Sequence, residues 1–181
     1  MAGRNIVFLK ASLILVGIMC CSFTTANEGP DINAKVKAIF LYNFSKYVEW
    51  PETMASGRFR IGIYGDYPAI REELEKMSKI KRRGDRSFEI MTFNSMDEIE
   101  PTHILYVVKN SAVDMSQISK RLGGSSTLLV TEGDGFINKG AHINLYYENN
   151  KQMMELNPAT FDQHGLKVST QLLSISKVVN G

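Results

Sequence analysis

Several kinds of residue are scarce in this sequence. It carries 2 cysteines in 181 residues, Cys20 and Cys21, both within an apolar N-terminal stretch. No thiol remains beyond that stretch, which excludes a disulfide framework and a thiolate metal site from the rest of the chain. The 3 histidines, His103, His142 and His164, stand far apart with no i, i+4 pair, so no metal is assigned to them. Charge of one sign is not in excess either. The formal balance is +2, and setting Arg4 and Lys10 aside leaves 19 basic against 19 acidic residues. A neutral domain has no electrostatic reason to seek nucleic acid.

Motifs are missing as well. The segment "EGDGFINKG" has neither the G-x-G-x-x-G spacing of a dinucleotide loop nor the alternating oxygen ligands of a calcium loop, and no Walker lysine follows a glycine run. There is no G-x-S-x-G, and Gly123-Gly124-Ser125-Ser126 reads as a helix stop before a strand. Lys109-Asn110 occupy the end of the central strand, where a phosphoacceptor domain would put an aspartate. No catalytic residue, cofactor or metal is assigned, and the chain is read as non-enzymatic.

What is present begins with an export signal. Arg4 and Lys10 precede an apolar run from Ala11 to Met19, and small residues follow up to Ala26. The run is shorter than the about 20 residues that a membrane-spanning helix needs. Cleavage after Ala26 is expected, leaving residues 27–181 as one domain in the periplasm. The competing reading is a lipid anchor at Cys20 or Cys21, which Met19 argues against because a lipid-attachment site takes a small residue there.

From residue 34 the pattern is helical. Val36, Ile39, Phe40, Phe44, Tyr47 and Val48 define an inward stripe, with Lys35, Lys37, Ser45, Lys46 and Glu49 opposite. The Trp50-Pro51 pair is expected to end this helix. Tyr42 lies off the stripe and is the ring most available to a partner. Strands follow at residues 59–63, 88–93 and 103–108 and within "STLLVTE", with helices from Pro68 to about Met77 and from Asp114 or Ser116 to Gly123. Two strands joined across residues 148–151 form a hairpin, since Asn149-Asn150 tolerate left-handed backbone. A short helix from Pro158 and an amphipathic helix from Thr170 to Val179 close the chain. This order predicts one three-layer α/β domain, a mostly parallel sheet with helices on both faces and a C-terminal β-hairpin.

Ligands in such sheets bind beyond the carboxyl ends of the strands. Here those ends carry Asp66, Asn110, Glu132 and Asp134, which are candidates for a ligand or partner. The plainer reading has Asp66 capping a helix and Asp134 making a glycine turn. The run Lys76, Lys79, Lys81, Arg82, Arg83 and Arg86 reads as a solvated loop or, in its Lys79, Lys81, Arg82 and Arg83 part, as a contact with anionic lipid or an acidic partner.

The segments "VKAIFLYNFSKYVEWP", "FRIGIYGD", "HILYVV" and "TLLVTEGDGFINKGAHINLYYENNKQMMELNPATFDQHGLKVSTQLLSISKVV" together resemble the YfiR-like family over residues 34–179. The most specific features are the aromatic helix closing in Trp50-Pro51 and a tail with Gly135-Phe136, Gly140, Ile143-Asn144, Asn157 and Gly165-Leu166. The resemblance implies a periplasmic, non-enzymatic and dimeric domain. Such a domain binds the external part of an inner-membrane diguanylate cyclase, or a similar signalling protein, and holds it inactive until an envelope signal releases it. Many relatives place a cysteine where this chain has Thr102, so redox control does not carry over. The alternative is a periplasmic small-ligand receptor with its cleft at Asp66, Asn110 and Glu132.

Overall fold

The computed structural model describes residues 31–109, 111 and 114–179. The expected signal with Cys20 and Cys21, and the candidate Asn110, lie outside them. In chain order the elements are α1 (Ile32–Tyr47), β1 (Val48–Glu49), β2 (Phe59–Tyr64), α2 (Pro68–Ile80), β3 (Arg82–Arg83), β4 (Arg86–Phe93), β5 (Ile104–Val107), α3 (Met115–Leu122), β6 (Leu128–Thr131), β7 (Ile143–Glu148), β8 (Lys151–Leu156), α4 (Pro158–Gln163), β9 (Lys167–Val168), α5 (Thr170–Ser174) and β10 (Lys177–Val178).

Among the described residues the main sheet has eight strands in the order β10-β8-β7-β6-β5-β2-β4-β3. β4, β2, β5, β6 and β7 run parallel, β8 returns antiparallel to β7, and β3 is antiparallel to β4. The chain goes from β2 outward to β4 and then jumps back across β2 to β5. Strand order therefore reverses between β2 and β5. This is the mostly parallel three-layer architecture that alternation of strand and helix signals predicts.

One face of the sheet is covered by α1, α2, α4 and α5. Its core joins Ala34, Leu41 and Phe44 of α1 to Ile61, Ile63, Ile104, Val130, Leu145 and Phe161. The other face is covered by α3, whose Met115, Ile118 and Leu122 meet Tyr64, Phe93, Leu105 and Leu129. Between β4 and β5 a 3-10 turn, Met96–Glu98, stands where a full helix would lie. Gly62 lets this thinner layer close, because a Cβ there would lie 2.7 Å from the Phe93 ring.

Three local expectations are corrected. The inward face of α1 is Ala34, Lys37, Ala38, Leu41, Phe44 and Ser45, whereas Ile39 is 43% exposed and Val36, Phe40 and Tyr47 are half-buried. Ala34 and Ala38 bring the helix backbone close to the sheet, and that close approach outweighs the bulkier apolar residues next to them. α1 also ends at Tyr47, before Trp50-Pro51, because Val48 and Glu49 turn extended and pair antiparallel with Val168 and Lys167. At the C-terminus α5 stops at Ser174, and Lys177 and Val178 pair in parallel with Glu155 and Leu156. The open edge of β8 offers unpaired backbone groups there, and β10 satisfies some of them, with the Val179 amide also donating to the Leu156 carbonyl at 2.8 Å. The Asn149-Asn150 hairpin forms as read, with both residues at positive φ, 49° and 59°.

Candidate functional site

The carboxyl end of the sheet is closed by polar groups that face one another. α1 begins at Asp31, whose Oδ1 accepts from the Ala34 amide at 3.1 Å. One turn further on, Lys37 points inward. Its Nζ lies 2.7 Å from Glu132 Oε2, with side chains only 7% and 5% exposed. Glu132 follows β6 and also accepts from the Tyr106 hydroxyl of β5 at 2.9 Å. Lys37 Nζ sits 5.2 Å from the centre of the Tyr67 ring, and the Tyr67 hydroxyl donates to Asp31 Oδ2 at 2.9 Å. Tyr147 of β7 donates to Asn33 Oδ1 at 2.9 Å. The first turn of α1 is thus tied to the loop after β2 and, through Lys37, Glu132 and Tyr147, to the region of β5, β6 and β7.

A further set of bonds fixes the turn that carries Glu132. Asn144 Oδ1 accepts from Thr131 Oγ1 at 2.8 Å and from the Gly133 amide at 3.1 Å, while its Nδ2 donates to Glu155 Oε1 at 3.0 Å. Burial, then the Glu132 charge and hydrogen bond, push the Tyr106 phenol far above its ordinary range. Burial and the Asp31 carboxylate do the same to Tyr67. Burial opposes ionisation of Asp31, but the Ala34 amide, the Tyr67 hydroxyl, the Asn33 amide and the Lys37 charge together hold its carboxyl below the usual value. Both phenols therefore stay protonated donors. In this arrangement each charge already has its partner, and its chemical consequence is to hold α1 down over the sheet.

The sequence-derived candidates separate in space. Glu132 is 4% exposed and belongs to the network just described. Asp66 is exposed and lines a separate pocket of about 260 Å³ with Tyr67, Arg71, Thr92 and Asn94, which neither Glu132 nor Asp134 lines. The cap position of α2 is Tyr67 with no side-chain cap bond, so Asp66 does not cap that helix. Asp134 is exposed in the turn after β6, where the Phe136 ring lies against Gly133 so closely that a Cβ would meet it at 2.5 Å. Asn110 lies outside the described residues. Tyr42 is half-buried, edge-on to Phe88 at 5.6 Å, with Lys46 Nζ 4.2 Å from its ring centre.

Sequence reasoning missed three features. Lys37 was placed on the solvent face. At the amino end of the sheet, His103 Nδ1 accepts from the Arg60 amide at 3.0 Å, which leaves the proton on Nε2, 3.0 Å from the Met54 carbonyl. Arg86 lies beside that ring at 2.8 Å and donates to the Ser56, Gly57 and Arg58 carbonyls. Burial, reinforced by Arg86, Arg83 and Arg60 against the pull of the Met54 carbonyl, pushes His103 down to about 4. The third is a His142–His164 pair with ring centres 4.8 Å apart, lining a cavity of about 160 Å³. His142 Nδ1 accepts from the Leu129 amide at 3.1 Å, so its Nε2 carries the proton and has no lone pair for a metal. Burial and the neighbouring His164 push it down to about 3. Among the described residues, no group of three or more His, Cys, Asp or Glu is placed to hold a metal ion. None of these pairings has a sequence signal beyond residue type, since each joins positions distant along the chain.

A family model described as YfiR/HmsC-like matches residues 34–177, and the chain belongs to that family. No curated protein matches it. Among the described residues, no helix is long and apolar enough to cross a membrane.

Proposed function

We propose that this YfiR/HmsC-like protein is a periplasmic, non-enzymatic regulator. It docks on the external region of an inner-membrane diguanylate cyclase or a similar signalling protein and holds that protein inactive. It acts as a homodimer, as the family resemblance implies. Regulation of this kind is a coupled equilibrium: the regulator favours one conformation of its target, and an envelope signal weakens that preference.

The observation that carries the reading is the Lys37–Glu132 pair at 2.7 Å. It occupies the carboxyl end of the sheet, the place where α/β proteins hold small substrates. With its β5 and β6 part filled by the chain's own side chains, recognition by this reading falls to the surface outside that part. The test is capture of membrane proteins on the purified protein, read by mass spectrometry. Recovery of a membrane protein with a periplasmic loop and a cytoplasmic signalling domain, whose activity falls when the two are mixed, is the expected result. Recovery of no membrane protein by folded bait rejects it.

A second reading rests on the pocket of Asp66, Tyr67, Arg71, Thr92 and Asn94, at the carboxyl ends of β2 and β4. It makes the protein a small-ligand receptor. A ligand that raises the melting temperature of the wild type, and does so less for Asp66→Ala, would support it.

A further inference from the structure

The most exposed of the large apolar side chains among the described residues is Ile80, at 77%. It is the last residue of α2, and its chain neighbours are Lys79 and Lys81. Arg82 follows and donates from Nη1 to the Ser78 and Lys81 carbonyls, wrapping the end of the helix. Lys46, from the last turn of α1, joins the group. Lys46 Nζ and Lys81 Nζ lie 4.2 and 5.9 Å from the centre of the same Tyr42 ring. Among the described residues, none of Lys46, Lys79, Lys81 and Arg82 forms an ion pair with a carboxylate.

The rest of the basic run behaves differently. Lys76 pairs with Glu72 and Glu73, both at 2.9 Å. Arg83 turns inward, donating from Nε to the Ser45 carbonyl at 2.7 Å, with its guanidinium 5.4 Å from the Trp50 ring and 5.3 Å from Phe59. Arg86 is held by the carbonyls of residues 56–58. Asp85, at the hairpin turn, is paired with none of the four outward cations.

We propose that Ile80, ringed by Lys46, Lys79, Lys81 and Arg82, is a contact surface for an anionic lipid bilayer. A protruding aliphatic tip among exposed cations that no carboxylate neutralises suits a headgroup layer, in which the apolar group enters the acyl boundary and the cations stay with the phosphates. A folded acidic protein would need a matching concavity for Ile80 and fixed carboxylates for each cation. None of these residues lines the cavities at Asp66 or at His142. The inference goes beyond the docking reading and does not need it, because the bilayer itself is the ligand.

The test is co-sedimentation of the purified protein with vesicles of phosphatidylcholine alone or mixed with phosphatidylglycerol. Binding is expected only to the mixed vesicles, weakening as salt rises. Each cation near a charged surface is worth about fivefold in affinity, so Lys79→Ala/Lys81→Ala/Arg82→Ala lowers binding about 100-fold and flattens the salt dependence. Ile80→Ser lowers it about tenfold and leaves the salt slope unchanged. Lys120→Ala/Lys139→Ala/Lys151→Ala, exposed elsewhere on the molecule, keeps wild-type binding and controls for the same change in net charge. Equal binding to both vesicle types, or none to either, overturns the proposal. So does unchanged binding by Ile80→Ser together with equal retention on soluble polyglutamate, which would identify an acidic polymer as the partner. These vesicles contain no protein, so failure here is distinct from failure to capture a signalling partner.

Discussion

The two ends of the parallel sheet both bury polar groups, and they keep them in opposite ways. At the carboxyl end a full positive charge, Lys37, meets a full negative charge, Glu132, with Tyr106 donating to the same carboxylate oxygen. At the amino end His103 stays uncharged, although it is surrounded by Arg60, Arg83 and Arg86. One end tolerates charge by pairing it, and the other by excluding it. Both ends act on the same segment. Lys37 anchors the start of α1, whereas Arg83 binds the Ser45 carbonyl near its end and Trp50 Nε1 donates to the His103 carbonyl at 3.1 Å. The aromatic segment is thus clamped at both ends by polar contacts, and its apolar packing lies between them. A buried ion pair contributes little net stability but is costly to break, so the carboxyl end should be the less forgiving of the two.

That comparison can be broken at its strongest point first. Lys37→Ala leaves Glu132 buried without its cation and should cost about 3–5 kcal/mol in chemical denaturation, whereas Lys37→Met/Glu132→Leu should recover most of that loss. A double variant no better than the single would show that the pair is more than charge compensation. Between the two clamps, Leu41→Ala should cost about 3 kcal/mol through its cavity, and Ile39→Ala should stay within about 0.5 kcal/mol. The reverse order in thermal melts would restore the stripe expected from the sequence. At the amino end the difference is one of pH. The pKa of His103 falls from an ordinary 6.5 to about 4 in the fold, so the unfolded chain binds the extra proton first. Its contribution is complete above pH ~6.5 and is lost as pH falls toward ~4, about 2 kcal/mol once solvent screening is allowed for. His103→Gln should reduce the slope of that acid limb in urea midpoints measured across the window, leaving the contribution of His142, which is lost from pH ~6.5 down to about 3. A limb of unchanged steepness would place the titration elsewhere. Trp50→Phe removes one donor and should cost about 1 kcal/mol, read as a shift in the same midpoints.

Much of the architecture was legible without coordinates. Alternating apolar residues marked β2, continuous apolar runs marked β5 and β6 as strands covered on both faces, and Asn149-Asn150 marked the hairpin. Those signals are local, because backbone geometry repeats every two residues in a strand and every 3.6 in a helix. The site was less legible. Glu132 was named as a candidate, but not the lysine that neutralises it, since a lysine on an amphipathic helix is normally solvated. The α1 register was missed for a related reason: alanine carries little apolar weight in a periodicity count, yet Ala34 and Ala38 are what allow the helix to lie close to the sheet. The basic run looked uniform in sequence and divides in three dimensions. Arg83 and Arg86 are half-buried on the carbonyls of Ser45 and of residues 56–58, while Lys79, Lys81 and Arg82 stay exposed with no carboxylate partner among the described residues.

By itself, the order of residues determined the alternation of elements, the fold class and the family, because these follow from short-range periodicity and turn chemistry carried by neighbouring positions. Only the tertiary structure decided which face of α1 points inward, which charges are buried in pairs and which stay in water. Those outcomes depend on what a side chain meets across the sheet, from positions as far apart as 37 and 132, and desolvation makes the cost of an unmet charge larger than any local preference.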